Sequence, residues 1–122
     1  MKTVAVLGRG FLICPVRDNP EYGREITERL EAEGYTIHWP ARDTNQDDAI
    51  GLQICKDNLS AIQDADVIFI AWDGKSTGSL FDAGMAFALG KKVIPIELPP
   101  SVPGQKSFQA MLRAYAKVKQ ES

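Results

Sequence analysis

The sequence predicts an α/β fold: a three-layer sandwich of flavodoxin-like or Rossmann-like build around a mainly parallel sheet of four or five strands. Three observations carry this. Short apolar runs rich in β-branched residues alternate with amphipathic stretches of helical period. The connections between them are short, as right-handed crossovers require. The run Val67 to Ala71 is apolar without alternation, the pattern of a central parallel strand covered on both faces.

The elements follow in order. Thr3 to Leu7 (TVAVL) reads as a buried strand, and Phe11 to Cys14 (FLIC) as its continuation or a second short strand, with Gly8-Arg9-Gly10 a bulge or tight turn between them. Asn19-Pro20 opens a helix, Asn as cap and Pro at the first helical position. Tyr22, Ile26 and Leu30 form its inward face, and Gly34 stops it. Tyr35 to Trp39 is the next strand, and Pro40 to Asn45 (PARDTN) a loop. A second helix runs from about Asp48 to Gln63, with Ile50, Ile54, Leu59 and Ile62 buried, although Gly51 inside it costs about 1 kcal/mol relative to Ala. The strand Asp66 to Ala71 leads into a glycine loop, Asp73 to Gly78. A helix from Ser79 to Leu89 closes at Gly90, followed by a strand from Lys92 to Ile96, a proline loop from Leu98 to Gly104 and a last helix from Ser107 to Lys119. No repeat, low-complexity tract or linker interrupts the 122 residues, so a single domain over 1–122 is expected.

Composition narrows the function. The 14 Lys and Arg against 16 Asp and Glu give a net charge of −2, which speaks against binding a nucleic-acid polymer through its phosphates. The longest apolar stretch, Val67 to Trp72, is far too short for a membrane span. The apolar start carries no small-residue cleavage site, so a cytoplasmic location is expected. Two cysteines make no disulfide framework, and with one histidine at unrelated spacing they make no structural zinc site. No metal or organic cofactor is implied.

Motifs narrow it further. Gly8-Arg9-Gly10 starts like a dinucleotide fingerprint, but Ile13 stands where the third glycine belongs and no helix follows at once. His38 lies inside a strand pattern, which suits a satisfied or half-exposed histidine better than the base of a hydrolytic triad. In an open parallel sheet, ligands bind beyond the carboxyl ends of the strands. That rule selects Cys14 to Asn19, Trp39 to Asn45, Trp72 to Asp82 and Glu97 to Gly104. The segment Trp72 to Asp82 (WDGKSTGSLFD) is the richest. It joins the best strand to a helix N-terminus, which favours an anion. Gly74 and Gly78 allow close approach to the backbone, and Ser76, Thr77 and Ser79 add hydroxyls. Ser79 and Asp82 also match a capping box, in which Asp82 caps its own helix.

Taken together, Ala65-Asp66 before the apolar strand, Gly78-Ser79-Leu80-Phe81-Asp82-Ala83-Gly84 and Gly90-Lys91 resemble the signature of the nucleoside 2-deoxyribosyltransferase-like family. The upstream helix around Asp57-Asn58-Leu59-Ser60-Ala61-Ile62 and the loop Cys14-Pro15-Val16-Arg17 also fit, so the resemblance extends through Glu97. It implies cleavage of the N-glycosidic bond of a nucleoside or nucleotide. A helix carboxylate attacks the anomeric carbon, and water or a second base resolves the glycosyl intermediate. Asp82 takes the nucleophile's position, although the family places Glu there, one methylene longer. A carboxylate in the first helical turn is expected to stay ionised. Asn58 stands where the family usually carries Asp.

Ser76, six residues before Asp82, and Arg17 in the first loop resemble the nucleoside 5′-monophosphate N-glycosidase branch. Arg17 suits phosphate oxygens as a planar fork, or is a solvated loop cation. Arg17, Ser76, Gly78 and Ser79 are therefore expected to hold phosphate. Trp72 and the loop Arg42 to Asn45, Asp43 in particular, would shape the base pocket. Trp39 and Trp72 suit either stacking on a base or a core edge. Asp43 and Asn45 suit either a base edge or the turn's own backbone. The resemblance also implies at least a homodimer, with Ala83, Met85, Ala86 and Phe87 serving the interface or the core. A domain that senses a nucleotide without turning it over is the alternative, favoured by Asp at 82 and Asn at 58.

Overall fold

A computed structural model describes residues 7–15 and 20–121. Four parallel strands, β1 (Gly8–Ile13), β2 (Tyr35–His38), β3 (Val67–Ala71) and β4 (Lys92–Glu97), form one sheet in the order β2-β1-β3-β4. The helices are α1 (Pro20–Glu33), the single turn α2 (Pro40–Asp43), α3 (Leu52–Asp64), α4 (Thr77–Ala88) and α5 (Phe108–Glu121). The result is the expected three-layer, flavodoxin-like α/β fold with four strands. No helix among the described residues is long and apolar enough to cross a membrane.

Strand side chains alternate between two cores because the pleat has a period of two. Phe11, Ile13, Ile68, Ile70 and Val93 face α3, α4 and α5, where Ile62, Ala83, Ala86, Leu112 and Ala116 meet them. Leu12, Val67, Phe69 and Ala71 face the other way, onto Ile26 and Leu30 of α1. The apolar run of β3 is thus consumed on both sides. Pro95 is tolerated in β4 because that strand lies at the sheet edge.

The structure corrects several local expectations. Gly8-Arg9-Gly10 is not a turn or bulge. It is the first half of β1, in parallel register with Tyr35-Thr36-Ile37. Glycine is required at 10 because a Cβ there would stand 2.8 Å from both Ile37 Cδ1 and Phe69 Cε2, on the two flanking strands. The strand expected over Thr3 to Leu7 falls, apart from Leu7, outside the described residues, as does the Asn19 cap. Tyr22 is exposed rather than inward, and its hydroxyl donates to Glu97 on β4. Pro40–Asp43 is a helical turn rather than plain loop.

The second helix starts four residues late, at Leu52, because Gly51 takes a left-handed conformation (φ 89°) and Asp48 caps from outside. The Asp48 carboxylate accepts from the amides of Gln53 (2.8 Å) and Ile54 (3.1 Å). Ile50 is consequently exposed rather than buried. Of the small and apolar residues of α4, Ala83 and Ala86 are core, whereas Phe87 is exposed.

Candidate active site

Strand order reverses between β1 and β3, and the helices following β1 and β2 lie on opposite faces, so a crevice opens beyond their carboxyl ends. There a cavity of about 240 Å³ is lined by Leu12 and Ile13 at the end of β1, Cys14 and Pro15 just after it, Pro40 and Gln46 after β2, Ile54, Cys55 and Asn58 of α3, and Ser76, Gly78, Ser79, Phe81 and Asp82 at the start of α4. Three of the four segments selected by topology reach it; Glu97 to Gly104 does not.

The start of α4 is built by local hydrogen bonding. Asp73 Oδ1 accepts from the amides of Lys75 and Ser76, each at 2.8 Å. This turn delivers Ser76 as the helix cap, its Oγ accepting from the Ser79 amide (3.3 Å) and the Ser79 hydroxyl (3.1 Å). Ser79 is therefore not the cap, and Asp82 does not cap this helix. It lies in the second turn, not the first, where the helix dipole no longer helps it. The amides of Thr77 and Gly78, in the first turn, have no carbonyl within the helix to donate to. A Cβ at Gly78 would meet nothing within 4 Å, so the backbone there is open to a ligand. Gly74 serves a different end: its φ is 81°, and a Cβ would stand 2.9 Å from Pro99 Cγ. At the far end of α4, Gly90 (φ 68°) donates to Phe87 and Lys91 to Ala86, both at 3.0 Å, the paired bonds of a Schellman stop. Lys91 Nζ then donates to the carbonyls of Gln63 and Ala65, tying α4 to the end of α3.

Burial pushes the Asp82 carboxyl up to about 6, and a hydrogen bond from the Asn58 side chain opposes that rise. The group remains mostly ionised at neutral pH, so it can act as a nucleophile. Cys14, in the same cavity, cannot compete: burial, with Glu97 and Asp73 nearby, pushes its thiol up to about 11. Among the described residues no group of three His, Cys, Asp or Glu is placed to hold a metal ion.

The remaining expected site residues are distributed as follows. Arg17 lies outside the described residues. Trp72 is buried in the core and donates from Nε1 to the Ser76 carbonyl at 2.9 Å, so it braces the loop and is not among the residues lining the cavity. Trp39 is also buried, against α1. Asp43 is not among the residues lining the Asp82 cavity. Its Oδ2 accepts from the Trp39 amide (2.9 Å), its Oδ1 from Arg42 Nε (2.8 Å), and it lines a different cavity, beside Arg9 and Asp64. Asn45 Oδ1 accepts from the Asp47 amide, the backbone role of a turn residue. Asn58, Ser76, Gly78, Ser79 and Asp82 are brought together. Sequence reasoning missed Gln46 and Cys55, which carry no local signal, and Phe81, whose place beside Asp82 in the glycine-acid segment was the available one.

A parallel α/β domain thus presents a half-buried carboxylate at the mouth of its strand-order switch, beside an open helix N-terminus, in a cavity of small-molecule dimensions. The model of the nucleoside 2-deoxyribosyltransferase family matches residues 11–97, most of the chain, and the protein belongs to that family. Nucleoside N-glycosidic bond chemistry is the family's activity. No curated protein matches the sequence.

Proposed function

We propose that this protein is an enzyme that cleaves the N-glycosidic bond of a nucleoside 5′-monophosphate, with Asp82 as nucleophile. An Asp82 carboxylate oxygen forms a bond to the anomeric carbon as the carbon–nitrogen bond breaks. The bonding pair leaves with the base, which takes up a proton. Water or a second base then attacks the same carbon, releases the sugar phosphate or a new nucleotide, and frees the carboxylate. The single observation that carries the reading is the placement of Asp82, ionisable near neutrality, on a cavity it shares with the amide of Asn58 and the open first turn of α4.

Each further role follows from position. Asn58 orients Asp82. Ser76, Gly78 and Ser79 hold the phosphate at the helix N-terminus, with Arg17 assigned to it by resemblance. A shorter Asp side chain in place of Glu is accommodated by a cavity of about 240 Å³, small beside the roughly 300–1,000 Å³ usual for ligand pockets. A bound nucleotide would therefore fill it and project past exposed Phe81, where a second subunit would cover it.

The test is chromatographic detection of free base from a panel of ribo- and deoxyribonucleosides and their 5′-monophosphates, with Asp82→Asn as control. Release from a monophosphate that disappears in the variant is the expected result. Thermal stabilisation by a nucleotide without base release would instead assign the chain to nucleotide sensing.

A further inference from the structure

Three hydrogen bonds in series run from β2 to α4. The Asn58 side chain bonds the Asp82 carboxyl. Thr44 Oγ1 donates to Asn58 Oδ1 at 2.8 Å. His38 Nε2 stands 2.8 Å from the same Thr44 oxygen. Valence sets their direction. An ionised carboxylate only accepts, so Asn58 must present its NH2 to Asp82 and its Oδ1 to Thr44. Thr44 has one proton, and Oδ1 receives it. Its oxygen must then accept from His38, so Nε2 carries the hydrogen.

The geometry leaves these groups little freedom. Thr44 is 6% and Asn58 5% exposed, so neither can readily exchange its partner for water. The His38 ring is stacked on Phe11, its register partner on β1, with centroids 5.4 Å apart and planes 8° from parallel. Neither His38 nor Thr44 is among the residues lining the Asp82 cavity, so neither touches a substrate bound there.

We propose that His38 and Thr44 are positioning residues for glycosidic-bond cleavage, holding the Asn58 amide in the one orientation that supports an ionised Asp82. This rests on the reading of Asp82 as nucleophile. An asparagine side chain has nearly the same shape after a half turn about its last bond. Rotated, it would aim an oxygen at the carboxylate, and an attraction would become a repulsion. The Thr44 proton decides between the two states, and the His38 N–H commits that proton to Asn58. Burial lowers the His38 pKa, against Asp43 and with Arg42 from α2, and against Asp57 from α3, so the ring is neutral at neutral pH and Thr44 selects its tautomer. On the Asp82 side, the other titratable groups among the described residues that line the cavity are Cys14 and Cys55.

The experiment reads Asp82 directly. Carboxyl carbon NMR titration of the ligand-free protein would be carried out on the parent and on Thr44→Val, Thr44→Ser and His38→Phe, with kcat and KM for base release measured over the same pH range. Thr44→Val keeps the shape and removes the proton. It is expected to raise the Asp82 midpoint by about half to one pH unit. It should also lower kcat about tenfold while KM stays within about twofold. Thr44→Ser should restore both, and His38→Phe should shift the midpoint in the same direction as Thr44→Val. A folded Thr44→Val whose Asp82 titrates as in the parent overturns the relay; if that variant does not fold, His38→Phe titrating as the parent does so. Absence of base release from the parent protein overturns the catalytic reading instead, and the titration still reports whether the chain governs Asp82.

Discussion

Asp82 and Asn58 meet across the α3–α4 interface, where burial of the Asp82 carboxyl raises its pKa to about 6 and the Asn58 hydrogen bond restrains the rise. The same pair sets both the working pH of the proposed chemistry and a cost in stability.

The nucleophile must be ionised, so base release should fall below about pH 6 as Asp82 takes up a proton. A pH profile of kcat/KM for the parent protein checks this through its acid limb. A flat profile down to pH 4.5 would remove Asp82 from the role.

Stability should move the other way. The folded-state value lies above the ordinary 3.8, so the Asp82 contribution is full below about pH 3.8 and lost as pH rises through about 6. Asp82→Asn removes the buried charge. It should raise Tm by several degrees at pH 8, where the shift corresponds to about 3 kcal/mol at most, and change it little at pH 4. Calorimetry at the two pH values gives the comparison.

Asn58→Asp would place a second carboxyl beside the first. Two close carboxylates resist ionising together, so the acid limb of base release should move upward by about one to two pH units. An unmoved limb would mean that the two side chains do not interact.

Ser76 has two separable jobs. Ser76→Ala removes the α4 cap and should cost about 1 kcal/mol in denaturant unfolding. Ser76→Asp keeps a good cap but sets a negative charge where phosphate is proposed to bind. Its KM for a 5′-monophosphate should rise about tenfold or more, through roughly 1.4 kcal/mol of repulsion, with KM for the free nucleoside nearly unchanged. Equal effects on both substrates would move the phosphate elsewhere.

Gly23 on α1 lies directly on the Trp39 indole, where a Cβ would stand 2.6 Å from Cζ2. Gly23→Ala should therefore destabilise the protein by about 1–3 kcal/mol through overpacking, despite the better helix propensity of alanine. A melting temperature at or above that of the parent would contradict this contact.

The elements legible in the sequence were those whose signal is local. The unbroken apolar run of β3, the stop at Gly90 and the helix at Ile26 and Leu30 each follow from a handful of adjacent residues. Asp82 was singled out through the family resemblance of its segment, since the local pattern around it fits a helix cap as well. What escaped depends either on a choice between competing local hydrogen bonds or on partners far along the chain. The overlapping Ser76-x-x-Ser79 and Ser79-x-x-Asp82 patterns both fit a cap, and the choice between them is made by the turn around Asp73. Asp48 caps α3 across Gly51, whose left-handed conformation a helical pattern does not reveal. Gly8 to Gly10 reads as punctuation until flanking strands are seen to lie over it. Thr44 looks like an ordinary loop residue until Asn58 and His38 close on it from two other elements.

Among the described residues every pairing in the sheet is parallel, and this bears on how the molecule assembles. No pair of neighbouring strands can form as a hairpin. The contact of β1 with β3 joins residues 57 apart, as Arg9 and Asp66 mark. Such distant closures make folding slow compared with helical bundles of the same size, on the order of milliseconds to seconds. A nascent chain that has emerged only as far as α2 holds β1 and β2 but neither Asn58 nor Asp82. The cavity can form only when β3 docks beside β1 and draws α3 and α4 together, so binding competence arrives late in assembly.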